Sequence, residues 1–174
     1  MVAAGHEVLL VGRRTAVIAG AREKIGPVAD WPAMLADESV EVAISTLGTT
    51  WRQAGSWAAF RAVDVDAVLA FAEAAKAAGA RQMLSVSSVG ARDGARNRYL
   101  AMKGEMERGL EELGFDRLDI VRPGLLRGER GSDRRLGERI GIIVSRGLTL
   151  LWRGRLEKYG PFNAEGGGGA GRAR

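Results

Sequence analysis

Short apolar runs alternating with helical patterns constrain this 174-residue chain more than any other feature. Residues 7–11 (EVLLV), 40–47 (VEVAISTL), 82–87 (QMLSVS) and 117–121 (RLDIV) are mostly apolar and read as strands. Between them, residues 57–78 form a long Ala-dominated helical pattern. Phe60, Val63, Ala67, Leu69, Ala70 and Phe71 supply its apolar side, and Gly79 caps it. Residues 99–113 form a second helix, ended by Gly114. Strands alternating with helices of this length predict βαβ units and a parallel sheet. The expected fold class is therefore α/β with a doubly wound parallel sheet.

Smaller pieces fill the gaps. Residues 15–22 read as a short helix, 28–29 as an extended piece and 32–36 as a helical turn. Residues 1–5 look like the end of a helix with Gly5 as its C-terminal cap. Past Gly124 the pattern weakens into a charged loop at 125–133 and an apolar-striped helix at 136–152. Residues 160–174 are glycine-rich and predicted to be disordered. The expected organisation is one domain over 1–159 and a tail over 160–174.

Composition narrows the chemistry. There is no cysteine and one histidine, His6, which argues against disulfides, thiolate nucleophiles, histidine triads and zinc sites. The longest apolar stretch, 140–152, is too short for a membrane span and contains Arg146. His6 and Glu7 precede any secretory apolar region, so a cytoplasmic location is the default expectation. The net charge is +5, with 26 basic residues against 21 acidic ones. The basic residues are spread along the whole chain and do not interleave with aromatics as a nucleic-acid platform requires. A nucleic-acid partner is therefore a subordinate reading.

In open parallel sheets, ligands bind outside the carboxyl ends of the strands. Here those ends carry Gly12, Arg13, Arg14, Asp30, Leu47, Gly48, Thr49, Ser87, Ser88, Pro123 and Gly124. This concentration of polar, basic and glycine residues points to a nucleotide site. Tyr99 and Lys103 lie four residues apart, one turn along a helix face. A cation beside a phenol favours the phenolate, which suits proton exchange in carbonyl–alcohol chemistry. The same spacing also arises by chance on amphipathic helices. Arg13 and Arg14 suit a 2′-phosphate, favouring NADP over NAD, or are simply exposed loop residues. Asp30 either accepts from an adenine amino group or caps the next helical turn. Gly48 lets backbone approach a ligand closely, or ends a strand. Pro123 and Gly124 offer backbone groups to a nicotinamide amide, or end another strand. Trp51 and Trp57 either line a substrate pocket or pack into the core.

The succession VGRR, ADW, ISTLGTT, AGS, VDVDAV, SSVGA, YLAMKGEMER and FDRLDIVRPGLL resembles the atypical short-chain dehydrogenase/reductases. It is most similar to the Tat-interacting protein/oxidoreductase branch, with its epimerase-like bacterial members. The resemblance covers about residues 1–155 and implies a Rossmann fold binding NADP(H). Carried over by position, it implies Ser88 as the catalytic serine, with Ser87 its neighbour, and Tyr99 as proton donor and acceptor. Lys103 becomes the tyrosine-perturbing, ribose-binding cation. Arg13 and Arg14 match the 2′-phosphate end, Asp30 the adenine contact, and Gly48 and Thr49 the loop beside the cofactor.

Two departures stand out. The family's opening strand and glycine-rich turn have no counterpart, so the strands at 7–11 and 40–47 are expected to lack a shared neighbour. Residues 160–174 do not resemble the family at all. Both suggest a fragment. The expected function is NADP(H)-dependent hydride transfer on a small carbonyl or alcohol substrate. The alternatives are a non-catalytic NADP-binding regulatory or interaction module, and an inactive fragment.

Overall fold

The apolar runs become strands because extended β-branched segments satisfy their backbone groups only by pairing. The computed structural model describes residues 2 and 5–123. Five strands form: β1 (Leu9–Gly12), β2 (Arg22–Ile25), β3 (Val42–Ser45), β4 (Gln82–Val86) and β5 (Arg117–Val121). Every pairing is parallel. β1 pairs with β2, and β3–β4–β5 form a separate three-stranded sheet. As expected, β1 and β3 share no neighbour among the described residues. The two pieces still serve one core. Leu9 and Val11 of β1 pack against the cluster holding Ala43, Val65, Val68, Met83, Met106 and Leu110.

β2 corrects the sequence reading. Residues 15–21 form no helix, and Arg22 opens a strand instead. The REKI sequence hid it, because three of its four residues are charged. Charge is tolerated here because β2 has a bonded neighbour on one side only. Its charges are also used locally. Glu23 accepts from the Ala16 and Val17 amides at 3.1 and 2.9 Å. Arg22 and Lys24 both pair with Glu38, at 2.7 Å each. Their hydrogen bonds, Arg22 first, lower the Glu38 carboxyl to about 2. The expected extended piece is likewise a 3-10 turn, Val28–Asp30, leading into α1 (Trp31–Leu35). Trp31 is 1% exposed and donates its indole N–H to the Gly26 carbonyl at 3.2 Å.

The long Ala-rich helix forms but is not regular. α2 (Trp51–Ala54) is a separate turn before it, capped by Thr50, whose hydroxyl accepts from the Gln53 amide at 3.3 Å. The helix then runs as α3 (Trp57–Arg61), a π-helical turn (Ala62–Asp66) and α4 (Ala67–Ala77). Such a turn adds a residue to the helical repeat, and such turns are common at functional sites. Asp64 and Val65 of this turn are both buried. α5 (Arg98–Glu112) starts at Asn97, whose side chain accepts from the Leu100 amide at 3.2 Å. Gly114, at φ +63, ends it as expected.

The described residues all belong to one compact unit, Met1–Glu129. Among them, no helix is long and apolar enough to cross a membrane. The expected loop at 125–133, helix at 136–152 and glycine-rich tail lie outside the described residues, as do Gly124, Met1, Ala3 and Ala4.

Two glycines let α5 pack closely. A Cβ on Gly104 would overlap the backbone of Arg92 and Asp93, which cannot move without displacing their loop. A Cβ on Gly109 would meet the Leu69 side chain at 2.7 Å, and that side chain can rotate away. Gly104→Ala is therefore expected to destabilise by about 1–3 kcal/mol. Gly109→Ala is expected to lie near neutrality, because roughly 1 kcal/mol of helix propensity offsets the strain. Urea unfolding of both variants checks the order; equal midpoints would refute the packing argument.

Candidate functional site

Parallel register brings three strand ends level. Ser45 faces Ser85, and Val86 faces Val121. Beyond β4 the pairing continues. The Ser87 amide donates to the Val121 carbonyl at 2.8 Å, and the Val89 amide to the Pro123 carbonyl at 3.3 Å. Ser87, Ser88 and Pro123 therefore emerge together, beside the loop that follows β3. Leu47 of that loop packs against the core, whereas Gly48 is exposed.

The centre of this edge is an ion pair. The Lys103 ammonium lies 2.6 Å from a carboxylate oxygen of Asp64, with side chains only 5% and 2% exposed. The other Asp64 oxygen accepts from the Thr49 amide at 2.7 Å. One carboxylate thus ties the candidate lysine on α5 to the candidate cofactor loop after β3. A buried charge is tolerated only when paired and hydrogen-bonded, and here both conditions hold. Asp64 was given no role from the sequence. A signal was present, since Asp64 lies four residues from both Phe60 and Val68 and so interrupts an apolar helix face.

Tyr99 sits one turn before Lys103, as the spacing predicted. Its ring meets Phe60 edge-on at 5.6 Å between centroids and is half-buried. Of the two serines, Ser87 is buried and Ser88 is half-buried. The Ser88 hydroxyl reaches only the Val89 carbonyl, at 3.5 Å. Among the described residues, Ser87 Oγ makes no hydrogen bond of full geometry.

A second buried carboxylate, Glu107, lies one turn beyond Lys103 on α5. Arg122, just past β5, grips it with two hydrogen bonds of 2.9 and 2.6 Å. Burial pushes the Glu107 carboxyl up. Arg122, the nearby Ser87 hydroxyl and the Lys103 charge outweigh that and hold it below the ordinary range. The pair anchors the chain directly before Pro123.

The remaining candidates lie elsewhere. Arg13 and Arg14 follow β1 in the two-stranded sheet and are exposed, with no ion pair among the described residues. Asp30 is also exposed, and its side chain makes no capping bond to α1. The structure records no contact between these three residues and the Tyr99–Lys103 group. Trp31 and Phe60 are core residues, but Trp51 is 50% exposed.

No family model matches the chain. A mitochondrial FMP52 protein of Coccidioides immitis is 39% identical over 119 residues, covering 67% of this chain and 48% of that protein. Rat HTATIP2 is 46% identical over 94 residues, covering 54% of this chain and 38% of that protein. The chain is thus a relative of the FMP52 and HTATIP2 proteins, in keeping with the expected resemblance to the atypical short-chain dehydrogenase/reductases. It spans about half the length of these FMP52 relatives. Solved structures show the same Rossmann-like fold. A short-chain dehydrogenase from Streptomyces avermitilis superposes with TM-score 0.53 at 23% identity, over 74% of this chain and 60% of that one. The Bordetella bronchiseptica enzyme WbmG in complex with NAD gives TM-score 0.56 at 18% identity, over 70% and 46%.

The FMP52 names overturn the cytoplasmic expectation, since several fungal relatives at 33–39% identity are named as mitochondrial. That expectation rested on the lack of a secretory apolar region. Mitochondrial targeting segments are amphipathic and Arg-rich, so the criterion was insensitive to them.

The Glu107–Arg122 pair gives a pH test. A carboxyl depressed in the folded state contributes stability above its unfolded value of about 4.3, and that contribution is lost as pH falls through the folded value. Arg122→Gln is expected to cost roughly 1–2 kcal/mol at neutral pH, discounted because the guanidinium is half exposed. Urea midpoints of parent and variant are expected to converge as acid neutralises Glu107. A gap that stays constant into acid would show that the pair is not what is lost.

Proposed function

We propose that this edge is the active site of an NADP(H)-dependent oxidoreductase acting on a small carbonyl or alcohol. The observation that carries this reading is the buried Asp64–Lys103 pair, joined through the Thr49 amide to the loop at the carboxyl end of β3. The described residues offer candidates for the two ends of a nicotinamide dinucleotide. Arg13 and Arg14 are exposed and without acidic partners, as a 2′-phosphate requires. Lys103, Gly48, Thr49 and Pro123, at the carboxyl edge of the sheet, are read as the residues that hold the ribose and nicotinamide. NAD in the solved WbmG structure supports a dinucleotide of this type. The choice of NADP rests on the two arginines alone.

When bound, the dinucleotide supplies or accepts the hydride. The chain's own residues do the rest. Tyr99 gives a proton to the substrate oxygen or removes one from it, and Ser88 holds that oxygen. Lys103 stands one turn from Tyr99 with its ammonium fixed by Asp64. Asp64 is thus a positioning residue.

A second reading is favoured by the same pair. With its charge already matched by Asp64, Lys103 suits a module that binds the dinucleotide without turnover. Binding of NADPH with no reduction of any carbonyl substrate would select that reading.

NADPH is expected to bind more tightly than NADH in fluorescence titration, and Arg13→Ala with Arg14→Ala to remove roughly tenfold of that preference. Tyr99→Phe is expected to keep NADPH affinity and lose turnover. Lys103→Met alone leaves Asp64 buried and unpaired, costing about 3–5 kcal/mol. Adding Asp64→Asn is expected to restore the fold but not activity. Full turnover by the Tyr99 variant would sink the mechanism.

A further inference from the structure

An aromatic ladder leads from solvent to Tyr99. The rings of Trp51 and Trp57 lie 4.4 Å apart between centroids, tilted by 39°. Trp57 meets Phe60 at 6.1 Å, and Phe60 meets Tyr99 at 5.6 Å. The inner members are structural, since Phe60 is 2% exposed. The outer member is not. Trp51 leaves half its surface in water, whereas Trp31 of the same chain is fully buried. Its helix, α2, begins directly after the Leu47–Thr50 loop.

The rim of this ladder is cationic. The Arg98 guanidinium lies 5.1 Å over the Trp57 ring and belongs to the residue next to Tyr99. Arg52, adjacent to Trp51, and Arg96 are exposed as well. Among the described residues none of these three arginines forms an ion pair, although Arg61 and Arg108 nearby in sequence are each matched by two acids. A half-exposed indole stacked on a ring that carries an unmatched guanidinium suits a flat π-system that carries negative charge.

We propose that Trp51, Trp57 and Arg98 form the substrate subsite, taking a planar aromatic ring bearing a carboxylate or phosphate. The ring stacks on Trp51, Arg98 holds the anion, and the reacting carbonyl or alcohol lies on the Tyr99 side, next to Arg98 in the chain. This rests on the reading of Tyr99 as the proton-transferring group. The same chemistry belongs to a nucleotide portion of the dinucleotide itself, and the test separates the two sources.

Calorimetric titration of the full chain with naphthoate probes the subsite without requiring turnover. Naphthoate is expected to bind, and both cyclohexanecarboxylate, which lacks the ring, and naphthylmethanol, which lacks the charge, to bind much more weakly. Trp51→Ala is expected to weaken naphthoate about tenfold, and Trp51→Phe to retain most of the affinity. Arg98→Gln is expected to weaken naphthoate but not naphthylmethanol. These side chains are exposed, so unchanged melting temperatures should confirm that the variants are folded. No naphthoate binding, or equal binding by Trp51→Ala, would overturn the proposal. Naphthoate binding that persists under saturating NADPH supports a substrate subsite; displacement by NADPH assigns the surface to the dinucleotide and overturns it. Failure of NADPH itself to bind counts against the dinucleotide reading alone, and the Trp51 and Arg98 series then still decides the subsite.

Discussion

A carboxylate and an ammonium buried together impose the tightest constraint in this molecule. Asp64 and Lys103 are each almost fully enclosed, so neither charge is tolerable without the other. Their pairing fixes the π-helical turn against α5. The Thr49 amide extends the constraint to the loop that follows β3. Three elements distant in sequence are thereby held in one arrangement at the carboxyl edge of the sheet. Hydrophobic packing along Val65, Val68, Met106 and Leu110 supplies cohesion beneath them, but it is less directional.

A second charged contact repeats the device one turn along. Glu107 and Arg122 secure the chain entering Pro123, just as Asp64 and Lys103 secure the loop around Thr49. α5 therefore carries Tyr99, Lys103 and Glu107 on successive turns: one half-buried phenol and two buried charges. This concentration makes α5 the organising element of the site. The close approach of the Arg92–Asp93 backbone at Gly104 follows from it, because the helix lies against the loop that leaves β4.

Kinship with the FMP52 and HTATIP2 proteins bears on the fold more firmly than on the chemistry. The fungal and rat relatives share between a third and a half of their residues with this chain over the matched stretch. The structural neighbours agree in the path of the chain at much lower identity. One fold hosts many chemistries, so the activity has to be argued from the Tyr99–Lys103 edge and the aromatic surface beside it.

Much of the fold was legible in the sequence because its signals are local. Apolar β-branched runs announced β1, β3, β4 and β5, and the Tyr99–Lys103 spacing announced one face of α5. β2 was not legible, because its charges are satisfied by Glu38 and by the amides of residues 16 and 17, which only the folded chain brings near. The single turn of α2 was hidden in a polar loop. The π-helical turn was hidden because an Ala-rich pattern is compatible with a regular helix, and only tertiary packing selects the turn that buries Asp64. The sequence by itself determined the alternation of strand and helix and placed Ser88, Tyr99 and Lys103 at a strand end and a helix start, since those follow from periodicity. The tertiary structure alone decided which charges meet. It paired Lys103 with Asp64 and Glu107 with Arg122, because burial permits only matched charges and matching depends on positions far apart in the chain.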